Sequence, residues 1–288
     1  RKLWGIIFGL WGDLIRTCIT IKLNNYDSEI LIIDKSPLKL DVIDCINIDK
    51  GIKELKRLNI KREFIKNLKE IIKKYNIKEV FFVVQNSQII IREHKDLPKI
   101  RKRDLDGYIN FEILQESLLT LDDYIVKYKI LDYRKNKMDL QIILFPKEIE
   151  KICLDIATGL NLKHKYLNMN FDILQKLIDR EKINLKNNDC MVIENMDDVI
   201  ILNYIKMKKI YTSNVFSKES SSEYITNLLD KDIDIFYYGK EDNFINTLKE
   251  NGFKVYKLNS KLNISYLCSD KIVDIQNNKY LVNIGVVI

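Results

Sequence analysis

Proline, glycine, histidine and cysteine are all scarce in this chain. It has 3 prolines and 9 glycines among 288 residues, which argues against disorder and against long flexible linkers. Hydrophobic residues make up 46% of the chain and charged residues 31%. A chain of this length and composition can bury one large core or the cores of two lobes.

The histidines and cysteines do not form a recognisable chemical site. His94 and His164 each stand alone, so neither a metal-ligand set nor a nucleophile–base pair can be assembled from them. The cysteines are far apart in the sequence and include no Cys-x-x-Cys pair: Cys18, Cys45, Cys153, Cys190 and Cys268. Each lies in an apolar run, so the sequence predicts buried thiols in a reducing cytoplasm.

The sequence also lacks a membrane-spanning run and a concentrated nucleic-acid-binding motif. The apolar run 3–15 is far shorter than the ~20 residues that span a bilayer, and it contains Asp13. The net charge of +7 comes from 48 basic and 41 acidic residues that are interspersed, without a basic stripe interleaved with aromatics. A helix predicted at 52–75 has Lys and Glu on its polar face, which we interpret as a solvent-facing surface.

Two similar rounds of elements organise most of the chain. Strands are predicted at 4–8, 14–23 and 29–33, and a second set at 190–193, 199–204 and 209–216. Each set is followed by helices and further strands, including an apolar strand at 80–84. This order predicts a duplicated α/β fold with two lobes and a cleft between them.

A different pattern interrupts the first round at residues 89–145. Apolar periodicity predicts a strand at 89–95, a helix at 103–119, and strands at 124–131 and 139–145. Pro98 fits the end of the first of these strands, because proline removes a ladder donor. The stretch therefore predicts a small strand–helix–strand–strand subdomain inserted into the first lobe.

Residues in and before this subdomain resemble PilM, the actin-like cytoplasmic protein of type IV pilus machines. The matching segments are Phe81-Phe82-Val83-Val84, Gln85-Asn86-Ser87, Ile89 to Arg92, Leu97-Pro98, Phe111-Glu112 and Tyr128. The resemblance implies an actin-like (ribonuclease H-like) α/β fold. It divides the chain into 1–87 as part of the first lobe, 88–146 as the inserted subdomain, 147–187 as the return to the first lobe, and 188–288 as the second lobe.

The resemblance also implies a function and a partner. We expect a non-enzymatic pilus-assembly scaffold, cytoplasmic and peripheral to the cytoplasmic membrane. It would bind the N-terminal cytoplasmic segment of a PilN-like inner-membrane protein in a groove between the insertion and the first lobe; other pilus motor components are further candidate partners. The residues expected to line that groove are Arg92, Tyr108, Phe111, Glu112 and Gln115. The alternative for Tyr108 and Phe111 is simple helix packing.

The same resemblance implies a nucleotide cleft, but its motifs are degenerate here. In actin-like proteins two turns of the type Asp-x-Gly hold ATP and Mg²⁺. We place Ile7-Phe8-Gly9 at the first turn and Ile193-Glu194-Asn195 at the second, with Gly239 as the adenosine-side glycine. The cleft residues are then Gly9, Asp13, Asp197, Asp198 and Gly239. Isoleucine cannot ligate a hard cation, so we predict a pseudo-ATPase without ATP or Mg²⁺ as cofactor and without a metal site.

Two other functions remain open at this point. One is an actin-like ATPase or sugar-kinase-like enzyme, which requires the carboxylates that the two turns lack. Asp13, Asp197 and Asp198 lie near the turns, and we interpret them as ordinary turn residues. The other is an FtsA-type cell-division scaffold, which shares the fold and differs in its partner.

Overall fold

The computed structural model describes residues 16–36, 39–116, 121–197, 199–268 and 278–288. The first part contains β1 (Arg16–Leu23), β2 (Ser28–Lys35), β3 (Leu40–Ile48), α1 (Ile52–Leu55), α2 (Leu58–Tyr75) and β4 (Glu79–Val84). The middle contains β5 (Ile90–Pro98), α3 (Lys102–Glu116), a 3₁₀ turn (Leu121–Asp123), β6 (Tyr124–Tyr133), β7 (Lys137–Pro146) and α4 (Lys147–Gly159).

The remaining described elements lie between Lys163 and Gly285. They are β8 (Lys163–Met169), α5 (Asn170–Asp179), β9 (Ile183–Asn184), β10 (Cys190–Asn195), β11 (Val199–Lys206), β12 (Lys209–Ser217), α6 (Lys218–Leu228), β13 (Asp234–Gly239), α7 (Asn243–Glu250), β14 (Val255–Lys257), β15 (Asn259–Ser260), β16 (Ile264–Tyr266) and α8 (Leu281–Gly285). The elements divide into two compact units. The first is Arg1–Gln85, Lys151–Asn184 and Asn259–Ile288, and the second is Asn86–Glu150 and Leu185–Leu258.

The first unit is built on a six-stranded sheet in the order β16-β3-β2-β1-β4-β8. β1, β2 and β3 form an antiparallel meander, and β4 lies parallel to β1 with Cys18 opposite Glu79. The central strands are buried on both faces, as the unbroken apolar run of β4 predicts. α2 buries Phe64 and Leu68, and Gly159 of α4 lies so close to Ile65 that a Cβ there would be 2.8 Å from Cδ1 of Ile65.

The second unit repeats this plan in a five-stranded sheet of order β12-β11-β10-β13-β14. An antiparallel meander again precedes two parallel strands, and Cys190 lies opposite Asp234 as Cys18 lies opposite Glu79. The two hairpins match as well: the N–H of Asn24 donates to the carbonyl of Asp27, and the N–H of Met196 to that of Val199, both at 3.0 Å. The predicted duplication of an α/β fold is therefore confirmed.

The predicted position of the first meander is wrong. The meander begins at Arg16 and its third strand is β3, which the sequence did not predict; the strand predicted at 4–8 lies outside the described residues. β3 carries Asp41 and Asp44 among its apolar residues and is only partly buried, so its hydrophobic pattern is weak. The apolar run before Arg16 has the stronger strand pattern, so the sequence predicts the first strand of the meander there and not at β3.

The predicted subdomain of four elements is confirmed. β5, β7 and β6 form a three-stranded antiparallel sheet with β7 in the centre. α3 covers one face, where Leu105 and Ile109 pack on Met138, Leu140, Ile142 and Leu144. On the other face Gln141 donates from Nε2 to the carbonyl of Tyr211 at 2.8 Å, and Nζ of Lys209 donates to the carbonyl of Leu131 at 2.6 Å. These bonds attach the subdomain to β12 within the second unit. The prediction that the insertion belongs to the first lobe is therefore wrong.

The C-terminal part of the chain corrects the predicted domain boundaries. Residues 259–288 were assigned to the second lobe, but they belong to the first unit. β16 pairs in parallel with β3, and β15 pairs with β9. α8 is completely buried, and Gly285 fits so closely against α5 that a Cβ would lie 2.6 Å from Ile173. Pairing between residues so far apart in the sequence, such as Ile264 with Leu40, leaves no local sequence pattern.

The cysteines are buried as predicted, with one exception. Cys18, Cys45, Cys153 and Cys190 are buried, and burial raises the pKa of the Cys18 and Cys190 thiols to about 12. Cys268 is only half-buried, and its Sγ lies 3.3 Å from Sγ of Cys45. Cys45 and Cys268 are far apart in the sequence, which therefore does not predict their contact. The pairing of β16 with β3 brings these two thiols together.

Candidate functional site

Four of the five predicted partner-binding residues lie on α3, and the fifth, Arg92, lies on β5. The structure brings Tyr108 and Glu112 together, because positions i and i+4 of a helix are neighbours. Burial, and then the hydrogen bond to the Glu112 carboxylate, raise the pKa of Tyr108 to about 12. Oε2 of Glu112 lies 3.9 Å from Nδ1 of His94 on β5. Gln115 belongs to α3, but its side chain lies outside the described part.

The two aromatic residues of α3 have different environments. Tyr108 is half-buried and packs against the core of the insertion, as the helix-packing interpretation expects for this residue. The side chain of Phe111 is 56% exposed, so the same interpretation is wrong for Phe111. An exposed phenylalanine on a helix that already has a buried face is available for contact with a partner.

Arg92 lines an open groove of about 300 Å³ in the second unit. One wall is formed by Ser87 and residues 89–92, which lead into and form the start of β5, and the other by residues 213–216 of β12. β5 pairs with β7 on one side, and β12 pairs with β11 on one side. Among the described strands, none is paired by ladder hydrogen bonds to the other side of either. The groove therefore lies beside two sheet edges, whose backbone groups can bind an added strand.

His94 was missed as a member of this site. In the sequence it stands alone among charged residues, and Glu112, whose carboxylate approaches it, is on another element. Only the packing of α3 over β5 brings the two side chains together. The histidine side chain is 14% exposed and the glutamate 24%, so both are largely covered by the insertion.

Two of the five residues predicted around the nucleotide are described by the structure. Gly239 has φ +93°, and a Cβ there would lie 2.3 Å from the carbonyl oxygen of Asn195. Asp197 is exposed and forms an ion pair with Lys240. Gly9, Asp13 and Asp198 lie outside the described residues. Ile193 is fully buried in the core of the second unit.

The hairpins contain two charged residues that sequence reasoning passed over. Glu194, at the penultimate position of β10, is fully buried and accepts a hydrogen bond from the Tyr238 hydroxyl at 2.8 Å. The matching register of the two units puts Lys22 at the equivalent position of β1, where Nζ lies 3.7 Å from Glu29. The turn in the first unit that corresponds to residues 196–199 is therefore formed by residues 24–27. The prediction that the first turn lies at Gly9 is wrong.

Lys22 and Glu194 do not form the ligand pair of a Mg²⁺ site of the actin-like kind. Such a site needs a carboxylate or its equivalent oxygen ligand from each hairpin. One hairpin supplies an ammonium group, which donates but cannot ligate a cation. The other supplies a carboxylate already bonded to Tyr238.

A pocket of about 720 Å³ lies in the second unit between α6 and the start of α7. Its lining includes Lys218, whose Nζ donates to the carbonyl of Met196 at 2.6 Å and pairs with Asp242. Asp242 caps α7 by accepting from the N–H of Phe244 at 3.1 Å. Burial raises the pKa of Asp242, but hydrogen bonds from Lys218 and Asn195 outweigh it and hold that pKa below its ordinary value. Two charged groups of the pocket, Lys218 and Asp242, are thus engaged with each other.

No protein-family model matches this sequence, and no curated protein matches it. Solved structures do match. A chain of the PilM-PilN type IV pilus biogenesis complex aligns with TM-score 0.69 at 11% identity, covering 93% of this chain and 97% of that one. A Bacteroides thetaiotaomicron protein described as having an actin-like ATPase fold and unknown function aligns with TM-score 0.53 at 14% identity, covering 93% and 95%. The fold is actin-like.

A further actin-like neighbour comes from a secretion system. The cytoplasmic domain of EpsL, an inner membrane component of the type II secretion system of Vibrio cholerae, aligns with TM-score 0.53 at 11% identity, covering 92% and 94%. The resemblance to PilM seen in the sequence is thus confirmed at the level of the fold. Among the described residues, no helix is long and apolar enough to cross a membrane.

Proposed function

We propose that this chain is a non-enzymatic scaffold of a type IV pilus-type assembly machine. It binds the N-terminal cytoplasmic segment of a PilN-like inner-membrane protein and is held at the cytoplasmic face of the membrane through that partner. The observation that carries the proposal is the fold match with a chain of the PilM-PilN complex over nearly the whole length of both chains.

The groove beside β5 and β12 supports binding of an extended segment. Strand edges can supply N–H and C=O groups for main-chain hydrogen bonds, and alternate side chains of an added strand enter flanking pockets. Here Ile89, Ile91 and Phe216 provide apolar lining and Arg92 provides a cation. An extended segment with alternating apolar residues and an acidic residue suits this lining.

Phe111 supplies a second contact on the same subdomain. Exposed aromatic side chains that become buried on binding are typical anchors of interfaces. Because Phe111 is 56% exposed, its removal leaves the core of the insertion intact. Glu112 sits one residue further along α3 and is held by Tyr108.

The hairpins support the absence of ATP hydrolysis in this proposal. Phosphoryl transfer depends on cations and close backbone donors placed around the phosphates. Lys22 and the engaged Glu194 do not supply the metal ligands, and Asp242 already occupies the N-terminal N–H groups of α7. One observation favours the alternative of a nucleotide-binding enzyme: the pocket of about 720 Å³ is within the size range of small-molecule sites.

Co-purification tests the proposed function. The chain is co-expressed with each membrane protein encoded beside it, once complete and once without its N-terminal cytoplasmic segment. We expect one complete partner to be retained and its shortened form to be lost. Retention of the shortened form at the same yield contradicts the proposal. Retention by cell-division proteins in place of pilus proteins favours the FtsA-type alternative.

A further inference from the structure

Most of the net charge of the chain is concentrated in one helix. Residues 56–75 contain eight basic and two acidic residues, a surplus of six, while the whole chain has a net charge of +7. This segment is α2 and the two residues before it. The rest of the chain therefore has a net charge of only +1, and residues 56–75 contribute most of its long-range positive field.

Four of these basic residues form a stripe on the exposed face of α2. Arg62, Lys66, Lys69 and Lys73 are spaced by four, three and four residues, so they lie on one side of the helix, opposite Phe64 and Leu68. With a rise of 1.5 Å per residue the basic stripe is about 16 Å long. All four side chains are exposed.

The four cations of the basic stripe have no carboxylate partner among the described residues. Lys61, on the flank of the same helix, shows the contrast: its Nζ lies 2.5 Å from Oδ2 of Asp155 on α4. Glu63 and Glu70 fall together along one side of the basic stripe and not within it. The solvent-facing interpretation of this face therefore leaves a row of unneutralised charge unexplained.

We propose that the basic stripe of α2 binds the anionic phospholipid headgroups of a membrane surface. The complementary charge is a flat array of phosphates, and each basic residue close to such a surface favours binding about fivefold. The apolar face of α2 is committed to the core through Phe64, Leu68 and the contact of Ile65 with Gly159. The helix therefore cannot insert, and binding rests on charge alone.

Binding of this kind is weak, reversible and sensitive to salt, because exposed charges are screened within about 8 Å at physiological ionic strength. A single-stranded nucleic acid offers the same charge, but the exposed stripe has no interleaved aromatic residue for stacking on its bases. The inference goes beyond the proposed scaffold function, since it needs no protein partner. In a scaffold held at a membrane it would orient the first unit towards the bilayer.

Vesicle flotation tests the proposal. The isolated chain is mixed with phosphatidylcholine vesicles, with and without about 30% phosphatidylglycerol, at low salt and at about 0.5 M NaCl. We expect flotation with the anionic vesicles at low salt only. The variant R62Q/K66Q/K69Q/K73Q should lose at least tenfold in vesicle affinity, and K66Q/K73Q should show an intermediate loss.

A matched control separates the basic stripe from net charge. The variant K127Q/K129Q/K135Q/K254Q removes four exposed lysines elsewhere and should float like the unmodified chain. Thermal unfolding checks that both variants are folded. Equal losses in the two quadruple variants, equal flotation on neutral vesicles, or no flotation at all would each overturn the proposal. Binding of duplex DNA through the same four residues without vesicle binding would overturn it in favour of nucleic acid.

Discussion

Replacing Gly239 with alanine should destabilise the second unit more than the same change at Gly252. Both glycines have positive φ, +93° and +82°. At Gly252 an added Cβ meets nothing within 4 Å, whereas at Gly239 it would lie 2.3 Å from the carbonyl oxygen of Asn195. That carbonyl cannot easily move, because it accepts a hydrogen bond from the N–H of Lys240 at 2.7 Å.

The two glycines allow the expected loss to be divided into parts. A side chain in the left-handed region costs roughly 1–2 kcal/mol, and alanine recovers about 0.4–1 kcal/mol by restricting the unfolded chain. Gly252→Ala should therefore lower the free energy of unfolding by about 1 kcal/mol. Gly239→Ala adds a steric overlap of about 1–3 kcal/mol, for a total of about 2–4 kcal/mol. Gly107 lies within α3, where an added Cβ would meet nothing within 4 Å. Gly107→Ala should therefore raise the free energy of unfolding by about 0.5–1 kcal/mol.

Denaturant unfolding of the three variants measures these values. If Gly239→Ala is no more destabilising than Gly252→Ala, the close approach of β13 to the β10 hairpin is wrong. The result also bears on function. If Gly239 instead existed to admit a phosphate, its replacement would lower nucleotide affinity and leave stability close to that of Gly252→Ala.

Three further predictions concern the partner, the nucleotide and the thiol pair. Phe111→Ala should weaken binding of a soluble partner segment by about 30-fold, the loss typical of an interface anchor, while Lys66→Glu leaves it unchanged. A parallel drop in melting temperature would show that Phe111 is a core residue. Calorimetry with Mg²⁺ and ATP should detect no binding, and a micromolar dissociation constant abolished by Asp197→Asn would contradict the proposed loss of the site. Diamide, which takes two electrons and two protons from a thiol pair, should link Cys45 to Cys268; a linkage that persists in Cys268→Ser would refute the 3.3 Å contact.

The inserted subdomain shows how far local pattern reaches. Its helix and three strands could be predicted because each of them buries one face against the core of the insertion. Burial of one face leaves an apolar period of 3.6 residues in a helix and of 2 residues in a strand. The same holds for α2 and for the second meander. β3 could not be predicted, because it alternates buried residues with Asp41 and Asp44 and depends on β2 for its pairing.

The candidate sites were predicted less completely than the fold. Phe111 and Arg92 could be named from the resemblance, but the exposure of Phe111 depends on how α3 packs on the sheet of the insertion, and the groove that Arg92 lines depends on β12. Lys22 and Glu194 were passed over because their equivalence is a matter of register between two hairpins, which the structure alone aligns.

The sequence by itself determined the duplicated order of elements, the inserted subdomain and the amphipathic character of α2, because each follows from interactions between neighbours along the chain. Tertiary structure decided which segments that are distant in the sequence come into contact. It placed residues 259–288 in the first unit, brought Cys45 to Cys268, and left the basic stripe of α2 without carboxylate partners among the described residues. Contacts across hundreds of residues are selected by total buried surface and charge, which no local period records.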